Sequence, residues 1–293
     1  MVALKNSLVR FPPAACLLLA LAAGGALQAL TPDFADAETR QPSAEELPPL
    51  SADRPGYTTN ADVLGRGLLQ FETGTYLQVQ TLQSVTARSL QLATPLVRAG
   101  LFKRVEFRVG GSGYVRQSSA TADGRRISGV SDHSVGAKIG LLQEGKWLPA
   151  LTVIPTVSLP IGCRPLTSSG HDPNVVVSAA KTLPHDFSAT ANFVAASLTD
   201  GEGRFTQDAW SVSASHPVGG GISGSLEVYR IRQLFRDVDG LPMLGLGLSR
   251  VLGGSVQVDI QAGHSLEPGL PAWFLGAGFV LRLPVARTDR SRK

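Results

Sequence analysis

The chain has 293 residues, of which 43% are hydrophobic and only 17% are charged, and its formal net charge is +4. An average soluble protein carries about 25% charged residues, so the composition favours strands that contact lipid on one face. The charge does not indicate a nucleic-acid partner, because a short basic tail at residues 284–293 supplies most of it.

Residues 1–37 have the pattern of an export signal. Lys5 and Arg10 form a positively charged start, and an apolar run follows at residues 16–30. This run is shorter than the roughly twenty residues that a membrane-spanning helix needs. No second long apolar run follows, which excludes a helical inner-membrane protein. The cleavage position stays open among three small residues, Ala26, Ala29 and Ala37.

Residues 38–66 are rich in proline and polar residues, including Pro42, Pro48, Pro49 and Pro55. Such a composition is typical of extended chain outside regular secondary structure. We therefore expect this region to be an extended segment in the periplasm.

Residues 67–283 predict about twelve short strands whose connections alternate between short and long. This rhythm is typical of an up-and-down barrel of the outer membrane, because short turns face the periplasm and longer loops face outward. The sequence thus predicts an all-β, transmembrane, antiparallel barrel in the Gram-negative outer membrane. The predicted short turns are residues 100–104, 143–147, 183–186, 218–221 and 252–255, and the longer connections are residues 81–88, 117–131, 161–173, 199–204, 233–240 and 265–271.

Period-two alternation supports the barrel. In residues 105–116, Val105, Phe107 and Val109 share one face, and Glu106 and Arg108 share the other. Residues 256–263 and 273–282 alternate in the same way. Charges of both signs mixed with Gly and Ser suit a crowded polar lumen, so the apolar face is assigned to lipid. The aromatic residues at predicted strand ends suit girdles at the two membrane interfaces: Trp147, Trp210, Trp273, Phe187, Phe205 and Phe274.

The inward-facing ionisable residues are the candidate pore-lining residues. A lipid-facing Arg or Lys near the middle of the membrane would cost roughly 2–4 kcal/mol, so these side chains should point inward. Inside a narrow barrel they should pair with one another. They would form either a structural charge ladder or a selectivity constriction, and the sequence favours neither. The candidates are Glu72, Glu106, Arg108, Lys138, Asp208, Glu227, Asp259 and Arg282.

Other reactive residues do not suggest chemistry. The histidines (His133, His171, His185, His216 and His264) share no spacing that indicates a metal site or a nucleophile pair. Cys163 alone would remain after signal cleavage, so no internal disulfide is expected. We predict no catalytic residues, no cofactor and no metal.

Several short segments occur in an order that is typical of one family. They are Asp53-Arg54-Pro55-Gly56-Tyr57-Thr58, a first strand with Gly67, Gln70, Glu72, Gly74 and Tyr76, the hairpin at residues 96–110, Gly136 with Lys138, Leu159-Pro160-Ile161-Gly162, and Gln257-Val258-Asp259. Together these segments resemble the outer-membrane transporters named for the meta-pathway of phenol degradation. The resemblance implies a transporter for small molecules, with aromatic or hydrophobic solutes suggested by the family name. The expected partners are outer-membrane lipid, the solute and the barrel-assembly machinery.

Two alternatives of other classes remain. A lipid-modifying enzyme on a barrel scaffold would need a Ser and a His on one face, and the histidine distribution supplies no such pair. A structural or adhesion barrel would carry its activity in its loops, which are modest in length. The prediction is therefore a passive channel and not an enzyme.

Overall fold

The computed structural model describes residues 47–82, 85–119 and 126–284, which form one antiparallel sheet of fifteen strands and a 3-10 helix at Pro184–Asp186. The predicted export signal, and the predicted tail from residue 285 onward, lie outside these residues. The strands are β1 (Leu68–Leu82), β2 (Val85–Leu92), β3 (Leu96–Phe102), β4 (Val105–Gly111), β5 (Tyr114–Ser119), β6 (Arg126–Val130), β7 (His133–Leu142), β8 (Ala150–Leu159), β9 (Asp172–Thr182), β10 (Ser188–Asp200), β11 (Gly203–Gly219), β12 (Ile222–Arg232), β13 (Met243–Leu252), β14 (Val256–Ser265) and β15 (Ala272–Pro284).

Within the described part of the chain, no helix has the length and apolarity needed to span a bilayer.

The sheet closes on itself. Strand β1 pairs with β15 from Leu68 opposite Pro284 to Gln80 opposite Ala272, so the first and last strands are neighbours. Three of the barrel strands are interrupted, and each is made of two consecutive strands: β2 and β3, β4 and β5, and β6 and β7. The result is the closed twelve-stranded antiparallel barrel that the sequence predicted.

The three interruptions lie on neighbouring barrel strands, at residues 93–95, 112–113 and 131–132. Gly113 has a φ of +64°, and a Cβ at this position would lie 2.3 Å from the carbonyl oxygen of Leu92, so the bend requires glycine. Beyond the bends, β2, β5 and β6 continue the sheet: β2 pairs with the Tyr76–Leu82 part of β1, β5 pairs with β2, and β6 pairs with β5. We call these three strands the flap.

Four of the five predicted short turns are confirmed, and the fifth is a seven-residue connection at residues 143–149. Three of the predicted long connections are largely strand. Strand β1 reaches Leu82 and β2 begins at Val85, while β10 and β11 are separated only by residues 201–202. At 117–131, β5 and β6 occupy most of the described residues. Polar residues outside the bilayer can still form paired strands, so a prediction from polarity alone overestimated the length of the loops. Of the predicted long connections, those without strand residues over most of their length are residues 160–171, 233–242 and 266–271.

The assignment of faces is confirmed. On β14, Val258 and Ile260 are exposed on the outer surface, whereas Gln257, Asp259 and Gln261 are buried inside. Strands β4 and β15 alternate in the same way. Two aromatic assignments were wrong. Phe274 is 3% exposed and faces the lumen, because it alternates with the outward Trp273, and Phe205 shares the inward face of β11 with Ala209 and Ser211.

Residues 47–66, which we call the plug, run through the barrel, and residues 51–64 lie inside it. Their backbone and side chains bond to inward residues of β1, β3, β4, β7, β9, β12, β14 and β15. A segment of twenty residues can reach strands all around the ring only from within the lumen. The plug enters beside Pro49, turns near Tyr57 and returns to β1 at Leu68, and Asn60 bonds back to Ser51 across it.

The expectation that residues 38–66 are an extended periplasmic segment therefore does not hold for residues 51–64. The segment has the irregular backbone that its prolines favour. Its bonding partners, however, lie up to 233 positions away in sequence, as for Pro49 and Arg282. The composition of the segment itself does not indicate such distant partners.

Candidate functional site

Six charged residues meet where the plug crosses strands β1, β3, β4 and β7. Strand alternation turns five of them inward, and the plug supplies the sixth, Asp53. Three are acidic and three are basic, so the cluster is neutral when all six are ionised. We call these residues the charge network: Asp53, Glu72, Arg98, Glu106, Arg108 and Lys138.

Asp53 and Arg98 link the charge network together. The Asp53 carboxylate lies 2.5 Å from Nη2 of Arg108, 3.0 Å from Nζ of Lys138 and 3.9 Å from Nη1 of Arg98. Arg98 donates to Glu72 at 3.1 Å and to Glu106 at 2.8 Å. Buried charges are tolerated only when they are paired and hydrogen-bonded, and each member satisfies this requirement.

Arg54 contacts the barrel wall on the side of the plug that faces away from the charge network. Its guanidinium lies 3.2 Å from Asp259 of β14 and packs over Gly74 and Gly278, which face each other across the closure of the barrel. A Cβ on Gly278 would come within 2.1 Å of Nε of Arg54, and one on Gly74 within 2.5 Å of Nη2. The two glycines therefore make the groove that receives this side chain.

Glu227 holds the tip of the plug through main-chain donors. Its carboxylate accepts hydrogen bonds from the N–H groups of Tyr57 and Thr58 at 2.8–2.9 Å, and from the Thr58 hydroxyl at 3.0 Å. Gly56 donates to Gln261 nearby. The tip is thus fixed to β12 and β14 without a cation.

Seven of the eight predicted pore-lining residues face the lumen and are at least nine-tenths buried: Glu72, Glu106, Arg108, Lys138, Glu227, Asp259 and Arg282. Arg282 bonds to the carbonyl oxygens of Pro49 and Gly254.

Asp208 was assigned wrongly. It shares the outer face of β11 with Trp210 and Val212, and it lies 3.7 Å from Arg232, the last residue of β12. At the rim of a barrel a charge can face outward, because no hydrocarbon surrounds it there.

A cavity of about 930 Å³ lies beyond the plug tip, toward the longer connections. We call it the vestibule. Polar side chains of β1 and β2 line one wall, among them Gln78 and Gln91, and apolar side chains of β12 and the following connection line the other, among them Ile231 and Leu234. A smaller cavity of about 410 Å³ lies at the opposite end, beside Pro49 and Arg98. The plug and its charge network separate the two cavities.

Aromatic side chains form the floor of the vestibule. Tyr57 of the plug stacks on Tyr229 with ring centroids 4.5 Å apart, and Tyr76 stacks on Phe274 at 5.3 Å. Met243 packs in the same cluster. Flat apolar faces beside polar amides can bind a small ring that carries a polar group. Sequence reasoning missed these residues, although alternation placed Phe274 opposite the outward Trp273.

The wall formed by β8 to β11 differs from the rest of the lumen. Four buried polar residues without charge occupy successive register positions across these strands: Thr152, Ser178, Asn192 and Ser211. Among the side-chain hydrogen bonds of the described residues, the plug makes only one to this wall, from Ser178 to the Thr59 carbonyl oxygen. The plug is therefore tied firmly to the charged side of the barrel and lightly to this side.

Two connections border the vestibule and are held by carboxylates. Asp132 accepts from the N–H groups of Gly162 and Ser168 and so fixes the connection at residues 160–171. Arg236 makes a bidentate pair with Asp200 at 2.8 and 2.9 Å, which fixes the connection at residues 233–242 to the β10–β11 turn. Hydrogen bonds from Arg236 hold the pKa of Asp200 below its ordinary value, and the same contact raises the pKa of Arg236.

No group of His, Cys, Asp and Glu among the described residues could hold a metal ion. Three of the histidines lie at or near strand ends (His133, His216 and His264), His171 lies in the connection before β9, and His185 lies in the 3-10 helix.

The architecture is that of a transmembrane outer-membrane barrel with an internal plug. Among solved structures, it resembles the COG4313 outer membrane channel from Pseudomonas putida F1, with a TM-score of 0.58 and 14% identity over 78% of this chain and 99% of that one. The transport unit of the autotransporter AIDA-I from Escherichia coli matches with a TM-score of 0.49 and 12% identity, over 77% and 93% of the two chains. A search of curated proteins found no match.

A model of the family described as "Putative MetA-pathway of phenol degradation" matches residues 52–283. The chain belongs to this family, which confirms the resemblance noted in the sequence. The match begins within the plug and ends in β15, so the plug lies inside the family region.

Proposed function

We propose that this protein is a passive channel that admits small molecules across the outer membrane of a Gram-negative cell. The observation that carries the proposal is the aromatic-floored vestibule inside a transmembrane barrel. The similarity in fold to the outer membrane channel from Pseudomonas putida F1 supports it. Export through a cleaved signal, and assembly by the barrel-assembly machinery, are parts of the same proposal.

The solutes we propose are small aromatic or hydrophobic compounds that carry at least one polar group. The stacked pairs Tyr57–Tyr229 and Tyr76–Phe274 offer faces to a ring, while Gln78 and Gln261 offer amide groups nearby. The family description, which refers to phenol degradation, agrees with this chemistry. The protein would need no cofactor and would perform no reaction.

The route we propose runs between the plug and the β8–β11 wall. Between described residues, the plug makes one side-chain hydrogen bond to that wall, through Ser178, and many to the opposite side. Displacement of the plug toward the charged side of the barrel would therefore break few contacts. The uncharged residues Thr152, Asn192 and Ser211 would then line the gap between the plug and the wall. The vestibule and the smaller cavity would then be connected.

The test is ion current through the purified barrel in lipid bilayers, with aromatic and aliphatic blockers compared. Benzenesulfonate should reduce the current at lower concentration than methanesulfonate, because both carry one negative charge and only the first has a ring. The variant Tyr57→Ala should lose most of that difference. A barrel that carries no current, with or without the plug residues 47–66, would contradict a channel function. Equal block by the two anions would contradict only the aromatic preference.

A further inference from the structure

The outer face of the flap carries three arginines close together. Strand pairing places Arg88 opposite Ser118, and Ser118 opposite Arg126, so these residues share one face and one row. Arg116 lies on the same face of β5, in the adjacent row. All three arginines are exposed. Neighbouring strands are about 4.8 Å apart, so the three positions lie within roughly 10 Å of one another.

No acidic residue balances this patch within the described residues. The other outward positions of the flap are Thr86, Leu90, Leu92, Tyr114, Ser118, Ser128 and Val130. None of the ion pairs between described residues involves Arg88, Arg116 or Arg126. The outward arginines on the far side of the barrel differ, since Arg230 lies 3.3 Å from Asp239 and Arg232 lies 3.7 Å from Asp208.

The patch lies next to the apolar surface of the barrel. On β5, Tyr114 precedes Arg116 by two positions on the same face, and it pairs with Leu92 and Val130 on either side. All three are exposed apolar or aromatic side chains. On a lipid-facing strand, a tyrosine next to arginines on the same face is typical of the boundary between the hydrocarbon core and the headgroup region. The patch is on the side of the longer connections, which faces the outer leaflet.

We propose that Arg88, Arg116 and Arg126 bind the phosphate groups of a phosphorylated lipid headgroup in the outer leaflet. Guanidinium groups bind phosphate oxygens through pairs of hydrogen bonds. Three arginines with no carboxylate beside them among the described residues can neutralise a dianionic or doubly phosphorylated headgroup, while Tyr114, Leu92 and Val130 contact its acyl chains. The proposal requires only the fold and its orientation, and does not depend on the transported solute.

The test is lipid binding to the purified barrel in detergent, measured by native mass spectrometry. The probes are bisphosphorylated lipid A, fully dephosphorylated lipid A, and inorganic phosphate. The wild-type protein should bind the bisphosphorylated lipid at least tenfold more tightly than the dephosphorylated one. The triple variant R88Q/R116Q/R126Q should lose that preference. The control R230Q/R232Q removes two outward arginines that have acidic neighbours, and it should keep the preference.

Three results would overturn the proposal. The triple variant could keep the wild-type preference, or the wild type could bind both lipids equally. Inorganic phosphate could also compete with the lipid at equal concentration, which would indicate a site for free anions. Heat-modifiable mobility on gels reports whether each variant has folded, and the single variants R116Q and R126Q replace the triple variant if it has not.

Discussion

The carboxylate of Asp53 lies 3.0 Å from the ammonium group of Lys138, although 85 positions separate the two residues in the chain. One is in the irregular plug and the other is on the inner face of β7. Their contact shows that the plug belongs to the interior of the barrel. Asp53 also contacts Arg98 and Arg108, so it joins the plug to three basic residues of the barrel wall.

Replacing Asp53 with Asn should loosen the plug. The change leaves Arg98, Arg108 and Lys138 with only two acidic partners, and breaking a buried ion pair typically costs about 3–5 kcal/mol. Ion current through the barrel should rise, and the urea concentration at the midpoint of unfolding should fall. Asp62→Asn is the matched control, because within the described part of the chain the Asp62 side chain bonds to Ser51 alone and its main-chain carbonyl still accepts from Lys138. Equal behaviour of the two variants would argue against the charge network as the anchor.

A larger residue at Gly278 should displace Arg54 from its groove. In Gly278→Val, the new side chain would overlap the guanidinium group and separate it from Asp259. We expect faster cleavage of the plug by added protease. Ala277→Val adds similar volume on the lipid face and should leave the cleavage rate unchanged. An unaltered rate in both variants would show that this groove does not fix the plug.

An arginine on the lipid face should impair assembly. Ile260 is 56% exposed near the middle of β14, and Ile260→Arg should destabilise the inserted barrel by about 2–4 kcal/mol. Gln78→Arg places the same charge in the vestibule and should be tolerated. The readout is the fraction of heat-modifiable barrel in outer-membrane preparations. A comparable loss of heat-modifiable barrel in both variants would show that the assignment of the two faces is wrong.

Acid should release the connection at residues 233–242. Because Arg236 lowers the pKa of Asp200, this pair stabilises the folded rim at pH values above the ordinary Asp value of about 3.9, and the contribution is lost as the pH falls through the lowered pKa. Hydrogen exchange at residues 234–241, corrected for its intrinsic pH dependence, should therefore increase only in strong acid. In Asp200→Asn the exchange should already be fast at neutral pH.

Glu202→Gln provides the control for that experiment, since Glu202 lies farther from Arg236, at 3.6 Å, and is mostly exposed. Exchange as slow in Asp200→Asn as in the wild type would mean that other contacts hold the connection.

Alternation predicted much of this site from sequence. A period of two residues placed Glu106, Arg108 and Asp259 inside the barrel, because lipid excludes charge from the other face. The argument fails at the rim, where Asp208 and Arg232 face outward into water and headgroups. Arg98 follows the same alternation in β3 and could have been found in the same way.

The plug could not be predicted in this way. Its irregular backbone has no period, and prolines with polar residues suit a solvated linker as well as a packed one. Asp53-Arg54-Pro55 was recognisable as a motif, but its partners Lys138 and Asp259 become neighbours only when the whole ring has closed. Contacts of this kind depend on topology rather than on local sequence.

Arg54 lies over Gly74 of the first strand and Gly278 of the last, where the wall of the barrel closes. The segment that precedes the first strand is thus packed against the last one. Only half of this groove is present until β1 and β15 have paired, so the docking site for Arg54 is complete only in the closed barrel. Arg54 therefore holds the two ends of the barrel wall together as well as fixing the plug.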